Sequence, residues 1–274
     1  MTRSPIKFVI AAVVVLVAAV TASVVLWPGD DPDEVAPTVP VDDLVTVSVA
    51  STTPDSASQA PSSSEAIDAS PTLVASFVAD TPSFDGPDGK EVGVVPARWH
   101  DRPSVLPVID EVPGWLRVRL AQRPNGSTAW VRRGDVTLAS TPFRVEIDVA
   151  TTRLRVFESG VEILDAPAGI GTEDAPTTVG SFFVAFMQEP PDTTSGWGPF
   201  VVVTSSHSET ISDFQSSGDA IAAIHGPLGA ADEIGETGAR VSHGCIRLQL
   251  DDLEVLRQLP AGTPIDVIDS SAGR

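Results

Sequence analysis

Most of this sequence consists of short β-favouring segments separated by turns. From residue 143 to residue 268, apolar and polar residues alternate as they do in strands with one buried face. The pattern therefore predicts one mainly β domain over residues 143–268, a length within the usual range for a single core. Its expected strands lie at residues 144–149, 154–157, 161–168, 180–187, 200–204, 220–225 and 264–268.

One segment of this domain has clear helical periodicity. Residues 251–254 have the form of a capping box, and Leu253, Leu256 and Leu259 follow at helical spacing before a proline ends the pattern. We expect this helix to pack behind the segment that precedes it.

A second group of short strands precedes this domain, at residues 73–140. Turns rich in Gly, Pro, Asp and Asn separate its β-favouring segments. Because large aromatic rings supply much of the core of a small domain, we assign Trp99, Trp115 and Trp130 to its core rather than to a ligand groove. Five short strands predict a small barrel, with the strands at residues 73–78, 92–95, 105–109, 115–120 and 128–131.

The end of this segment resembles bacterial SH3-like domains. The resemblance rests on the strand that begins at Trp115, the Asn125-Gly126 turn and the short strand around Trp130. It implies that residues 73–140 form an SH3-like β-barrel.

The N-terminus predicts a membrane anchor. Residues 8–27 include no charged residue and are long enough to cross the roughly 30 Å hydrocarbon core as a helix. Arg3 and Lys7 precede them, and positive charge on the short leading side keeps that side in the cytoplasm. We therefore expect residues 1–27 to anchor the chain in the cell membrane with a single pass, and the rest of the chain to lie outside the membrane. A cleaved signal peptide is the alternative.

The next segment, residues 28–72, is rich in Pro, Ser, Thr and Asp and has no periodic apolar face. No Lys or Arg lies between Lys7 and Lys90, so the segment repels itself and we expect a disordered acidic tether. The whole chain has 17 Lys and Arg against 37 Asp and Glu, a formal net charge of −20. This charge argues against nucleic acid as a partner.

The chain has a single cysteine, Cys245, in the segment SHGCIR at residues 242–247. It cannot form an internal disulfide, and a free thiol in an exported chain is unusual. Packing is the ordinary role of such a residue. However, His243 lies two residues earlier, on the same face if the chain is extended, where it can hold or remove the thiol proton. Gly244 leaves room for a substrate carbonyl. We therefore interpret Cys245 as a nucleophile.

A zinc site is the main chemical alternative. His207, His225, His243 and Cys245 are ligand types that suit zinc. Their spacing matches no zinc signature, so we expect neither a metal nor another cofactor. His207 and His100 show no partner pattern, and we assign both to structural or surface roles.

The pair His225-Gly226, followed by residues 242–247, resembles the signature of the L,D-transpeptidase catalytic domain of the YkuD type. The opening of residues 143–268, the loop at 169–180 and the closing GTPIDVI are similar to that family as well. The resemblance implies a β-sandwich with a short helix over the site, and peptidoglycan peptide stems as substrates. Arg247 stands where the commonest form of the family has Asn.

The resemblance also implies roles for the site residues. His225 would be the base, with its other ring nitrogen held by a carbonyl at or next to Gly226, as a third group orients the base of a triad. His243 would assist by its charge and by shaping the loop. The backbone N–H groups of His243, Gly244 and Cys245 are the candidates for the oxyanion hole.

Four further residues are placed on the substrate side of the site. Arg247 and Arg240 are candidates to bind the free carboxylates of the stem, since a guanidinium matches their geometry. Ser242 is expected to hold the loop rather than to react. Trp197 lies in a Gly- and Pro-rich loop at 190–200 that is either a wall of the cleft or an ordinary connection.

The resemblance leaves the acceptor open. An amine of a second stem gives a 3→3 cross-link, water gives an L,D-carboxypeptidase, and a protein amine gives anchoring. We expect the cross-linking reaction, and a carbapenem as inhibitor. The alternative outside catalysis is a cell-wall-binding protein.

Overall fold

The structure is a computed structural model that describes residues 69–190, 192, 194, 196–214 and 218–272. The predicted anchor at 8–27 and nearly all of the predicted tether at 28–72 lie outside these residues. Within the described ranges, no helix is both long enough and apolar enough to cross a bilayer.

The first part of the described chain contains nine strands and a 3₁₀ turn at Arg133–Asp135. The strands are β1 Thr72–Ser76, β2 Thr81–Phe84, β3 Glu91–Val95, β4 Arg98–Trp99, β5 Arg102–Pro103, β6 Val105–Val112, β7 Trp115–Arg119, β8 Thr128–Arg132 and β9 Thr137–Thr141.

The second part contains ten strands, two short α-helices and a 3₁₀ turn at Leu256–Gln258. These elements are β10 Phe143–Asp148, β11 Arg153–Glu158, β12 Val161–Pro167, β13 Gly169–Gly171, β14 Gly180–Gln188, β15 Val201–His207, β16 Ile221–His225, α1 Ala231–Ile234, β17 Ala239–Ser242, β18 Ile246–Arg247, α2 Leu250–Val255 and β19 Pro264–Ile268.

Seven N-terminal strands form an antiparallel sheet in the order β3-β2-β8-β7-β6-β1-β9. β6 pairs with β1 through its first residues and with β7 through the remainder, with a bulge between Val108 and Asp110. Each of the five predicted strands is present. β2, β9 and the β4–β5 hairpin are additional. Trp115 is buried as predicted, while Trp99 and Trp130 are half-buried. The SH3-like assignment stays a prediction.

The C-terminal strands form one sheet in the order β12-β11-β10-β19-β14-β15-β16-β18-β13-β17. β14 joins its two halves, because its first residues pair with β19 and its later residues pair with β15. One apolar cluster contains buried residues from both halves and from α2, including Ile147, Val184, Ile224 and Leu253. The mainly β sandwich predicted for this domain is confirmed.

The predicted helix is present, but it begins earlier than its expected capping box. Gln249 is the N-cap, in extended conformation, and it makes no side-chain capping bond. Its amide instead donates to the Ala231 carbonyl at 2.9 Å. Leu253, Leu256 and Leu259 are buried in the C-terminal core as the spacing predicted. The single-turn helix α1 was not predicted.

A second apolar cluster joins the two sheets. It contains Leu106 and Val131 of the N-terminal sheet and Phe77, which follows β1, together with Phe183 and Val203 of the C-terminal sheet. Trp99 packs against the same cluster, with its ring 5.9 Å from that of Phe186. Because water is excluded from these side chains only when the two sheets pack against each other, the sheets share a core.

Candidate active site

The segment around Cys245 is bent rather than extended. β17 ends at Ser242, β18 begins at Ile246, and residues 243–244 form the bend between them. Gly244 has φ of 117°, a conformation that residues with a Cβ rarely adopt. The expectation that His243 and Cys245 share one face of an extended chain is therefore wrong. His243 is exposed, whereas Cys245 is half-buried against the cluster shared by the two sheets.

The hydroxyl groups of Ser242 and Thr177 fix the peptide units around the thiol. The Ser242 hydroxyl donates to the Cys245 carbonyl at 2.6 Å and accepts from the Gly244 N–H at 3.1 Å. The Thr177 hydroxyl donates to the Gly244 carbonyl at 3.0 Å and accepts from the Gly171 N–H at 2.9 Å. Ser242 thus holds the loop, as expected, and its hydroxyl is directed into the loop rather than toward a substrate.

These bonds narrow the set of candidate oxyanion donors. The Gly244 N–H is bound by Ser242 and is not available to a substrate oxygen. The Cys245 N–H belongs to the same planar peptide unit as the Gly244 carbonyl, so the two point in opposite directions. Thr177 therefore sets the direction of the Cys245 N–H by holding the Gly244 carbonyl.

Strand register brings His225 next to Cys245. β16 and β18 are parallel neighbours in which Ile224 pairs with Ile246 and His225 pairs with Arg247. Since side chains alternate along a strand, Cys245 extends the face that carries His225 and Arg247. Strand spacing and rise place the Cα atoms of His225 and Cys245 about 8 Å apart, within reach of an imidazole and a thiol.

His225 has the tautomer and protonation state of a base. Its Nδ1 lies 2.8 Å from the carbonyl oxygen of Gly226, which can only accept, so Nδ1 carries the proton. Its Nε2 is buried and has no hydrogen-bond partner among the described residues. Burial, together with the smaller effect of the Arg247 charge, lowers the pKa of His225 to about 3 against the opposing bond to Gly226. The imidazole is therefore neutral at physiological pH.

Trp197 supports this imidazole from behind. Its ring centroid lies 4.4 Å from that of His225, and it is 1% exposed. The Gly226 N–H donates to the Trp197 carbonyl at 2.7 Å. A Cβ on Gly226 would lie 2.4 Å from the Gly196 carbonyl oxygen, so only glycine fits this contact. The predicted substrate contact of Trp197 is not seen, because the ring is covered.

The two arginines differ in environment. Arg240 donates to the carbonyls of Val149 at 2.9 Å and Gly171 at 3.3 Å, so its guanidinium holds the framework instead of facing a substrate carboxylate. Arg247 is 5% exposed and lies beside His225 in the sheet. Its expected contact with a stem carboxylate stays a prediction.

His207 has a partner that its position in the sequence did not reveal. Its Nδ1 lies 2.7 Å from a carboxylate oxygen of Asp219. Burial alone would raise the pKa of Asp219, but the hydrogen bond and charge of His207 lower it well below its usual range. His207 is thus a buried structural residue. His100 packs edge-to-face against Trp99, and burial lowers the pKa of His100.

The four proposed zinc ligands do not meet. In the part of the chain that the structure describes, no three His, Cys, Asp or Glu side chains are close enough to hold a metal ion.

Thr177 is the site residue that the sequence analysis missed. It lies in the loop at 169–180 that carried part of the family resemblance, but a threonine among small residues gives no signal of its own. Its link to Gly244, 67 residues along the chain, exists only in the folded protein.

Residues 142–267 match the family model YkuD, the L,D-transpeptidase catalytic domain. No match was found among curated proteins.

Several solved structures are similar. An L,D-transpeptidase from Mycobacterium smegmatis is 18% identical over 60% of this chain and 90% of that one, with a TM-score of 0.37. One from Mycobacterium tuberculosis H37Rv is 21% identical over 72% and 80%, with a TM-score of 0.39. LD transpeptidase LdtMt1, solved in complex with imipenem, is 18% identical over 72% and 82%, with a TM-score of 0.38.

Proposed function

We propose that this protein is a peptidoglycan L,D-transpeptidase that transfers the acyl group of a tetrapeptide stem through a thioester on Cys245. The observation that carries this proposal is the buried, neutral imidazole of His225 on the sheet face that Cys245 extends, with its proton held on Nδ1 by Gly226. The match of residues 142–267 to the catalytic-domain model supports the same chemistry.

In the acylation step, the sulfur of Cys245 attacks the carbonyl carbon of the donor peptide bond. Nε2 of His225 takes the thiol proton as the C–S bond forms, since a thiol of ordinary pKa near 8.5 is mostly protonated at neutral pH. The Cys245 N–H, oriented by Thr177, is the donor assigned to the negative oxygen of the tetrahedral intermediate. The C–N bond then breaks, and the leaving amine takes the proton from His225.

In the deacylation step, an acceptor amine attacks the thioester carbonyl. His225 receives a proton from that amine and returns it to the sulfur as the C–S bond breaks. We assign the acceptor to a second peptide stem, which gives a 3→3 cross-link. Water in the same position gives the carboxypeptidase reaction.

The low pKa of His225 bears on how the proton moves. An imidazole whose pKa burial lowers to about 3 does not hold a proton in a resting thiolate–imidazolium pair. We therefore assign to this site a neutral imidazole that takes the thiol proton as the C–S bond forms.

The place of action follows from the N-terminal sequence. Residues 8–27 are proposed to anchor the protein in the cell membrane, with residues 28–72 as a tether and the catalytic domain facing the cell wall. This part of the proposal rests on the charge and hydropathy pattern alone.

The products formed from a purified disaccharide tetrapeptide test the function. A chain beginning at Pro71 is incubated with the donor, and the products are weighed by mass spectrometry. A cross-linked dimer supports transpeptidation, and the tripeptide alone supports the carboxypeptidase. Neither product, with no imipenem adduct on Cys245, would overturn the catalytic assignment and favour a cell-wall-binding protein.

A further inference from the structure

The turn between β7 and β8 of the N-terminal sheet is docked on the end of β15 in the C-terminal sheet. The side-chain amide of Asn125 donates to the His207 carbonyl at 2.8 Å and accepts from the His207 N–H at 3.0 Å. Asn125 thus pairs with the His207 main chain as a neighbouring strand would.

Arg123 of the same turn reinforces this contact. Its guanidinium donates to the Ser208 carbonyl at 2.8 Å and to the Asp219 carboxylate at 2.9 Å. The other oxygen of that carboxylate holds the His207 ring at 2.7 Å. The turn therefore binds the main chain of His207 directly and reaches its side chain through Asp219.

His207 in turn connects to the loop that orients the nucleophile. Its carbonyl accepts a second hydrogen bond, at 3.3 Å, from the Thr178 hydroxyl. The adjacent residue, Thr177, donates to the Gly244 carbonyl. His207, Thr177 and Thr178 are all buried, where a lost hydrogen bond is not replaced by water.

We propose that Asn125 is a positioning residue for acyl transfer at Cys245. Acting through the His207 main chain and the two threonines, it fixes the Gly244 carbonyl and so aims the Cys245 N–H at the forming oxyanion. The N-terminal sheet thereby completes the active site without contacting the substrate. This inference rests on the proposed function, since it assigns the transition state that the N–H stabilises.

Two reactions of the same thiol separate this role from a general effect on folding. Acylation by imipenem passes through a tetrahedral oxyanion and needs the oriented N–H. Alkylation by iodoacetamide displaces iodide at a saturated carbon and forms no oxyanion. If the Cys245 N–H no longer points at the oxyanion, acylation by imipenem slows and alkylation by iodoacetamide does not. Partial unfolding or altered access to the thiol changes the rates of both reactions.

The test uses the full-length protein in detergent and measures both rate constants for Asn125→Leu, which removes both hydrogen bonds and keeps the number and branching of the side-chain heavy atoms. We expect imipenem acylation to fall about tenfold, part of the 10²–10³ loss caused by removing an oxyanion donor, and alkylation to change less than about twofold. Arg133→Gln is the matched control, because it breaks an exposed ion pair with Glu111 in the same sheet. It should leave both rates unchanged.

Thr178→Val tests the same path from the other side and decides the matter if Asn125→Leu does not fold. It should give the same split between the two reactions. The double variant should be no slower in acylation than the slower single variant, since both changes interrupt one path.

Equal losses in both reactions, no loss in either, or additive losses in the double variant would overturn the inference. A wild-type protein that alkylates but is not acylated would instead refute the proposed function, and the inference with it. If the wild type is acylated but the ratio of acylation rate to alkylation rate is unchanged in the variants, only the inference is refuted.

Discussion

Arg247 and His225 are register partners on the adjacent parallel strands β18 and β16. The guanidinium charge therefore lies one strand away from an imidazole that is fully buried, and it adds to the effect of burial on the pKa of His225. This charge therefore favours the neutral imidazole, which is the form that can accept a proton.

The pKa of His225 predicts how stability depends on pH. Its folded value of about 3 lies below the ordinary value of 6.5, so between these limits the unfolded chain binds a proton that the folded chain does not. Stability is therefore lost as pH falls from about 6.5 toward 3, with a slope of at most about 1.4 kcal/mol per pH unit from this residue. His225→Gln should flatten the curve of unfolding free energy against pH, measured by urea unfolding from pH 4 to 7. Parallel curves for the two proteins would contradict the assignment.

Cys245→Ser should keep the fold and lose acyl transfer to below detection. A serine hydroxyl lacks the acidity and nucleophilicity of the thiol, and the half-buried site accepts it without a clash. Imipenem adduct formation and cross-linked product are the measurements, with thermal unfolding as the control for folding. Activity within a few-fold of wild type would exclude the thioester.

His225→Gln should lower the acylation rate by about 10² to 10⁴, the range for loss of a positioned base. Glutamine keeps a polar group beside Gly226 but cannot take the thiol proton. His243→Gln is the comparison, because His243 is exposed in the bend next to the same thiol. If the His243 variant loses more activity than the His225 variant while both remain folded, the two histidines have the opposite roles.

The alternation of apolar residues predicted the longer strands. The family resemblance implied that His225 and Cys245 lie at one site, and the register of β16 and β18 is consistent with that expectation. The sequence did not predict β13, β17 and β18, because strands of two to four residues that contain glycine or flank a bend carry too few alternations to count. These short strands nevertheless set the register of the site.

Contacts between residues that are far apart in the sequence could not be predicted for a different reason. The bond from Thr177 to Gly244, the two bonds from Asn125 to His207, and the capture of Arg240 by backbone carbonyls depend on how the two sheets pack. Thr and Asn occur in many turns and loops. An exposed arginine occupies the same position in the sequence pattern whether it binds a substrate or a backbone carbonyl. Only the fold distinguishes these cases.

Thr177→Val should destabilise the protein by about 1 to 3 kcal/mol, the penalty for leaving buried polar groups unpaired. The change removes the partners of the Gly171 N–H and the Gly244 carbonyl at nearly constant volume. Acylation by imipenem should fall more than alkylation by iodoacetamide. Thr194→Val provides the control, since that exposed residue bonds only to Asp192 among the contacts that the structure describes. An unchanged midpoint of urea unfolding in the Thr177 variant would contradict this role.

Removal of residues 1–70 should leave the site intact. β1 begins at Thr72, and every contact described for the active site lies beyond it. A chain beginning at Pro71 should be soluble and should form the Cys245 adduct at the rate of the full-length protein in detergent. A tenfold fall in that rate, with thermal unfolding of the shorter chain unchanged, would show that the tether touches the site.

Removal of residues 1–141 should have the opposite effect, because it takes away the N-terminal half of the shared core. Phe183 and Val203 are now 1% and 5% exposed, and they would lose the N-terminal members of their cluster, among them Phe77 and Leu106. Uncovering a large apolar side chain costs about 1.5–3 kcal/mol, so a few such residues are enough to unfold a domain of ordinary stability.

We expect the chain beginning at Pro142 to aggregate or to unfold at least 10 °C below the chain beginning at Pro71, since each kcal/mol shifts the midpoint by about 2–4 °C in chains of roughly 150–250 residues. The longer chain should unfold in one transition, since its two sheets share that core. Calorimetry on both chains provides the measurement. Two separate transitions in the longer chain would show that the sheets are energetically independent. Equal midpoints for the C-terminal sheet with and without the N-terminal sheet would show the same. The path from Asn125 to Gly244 would then lack a rigid support.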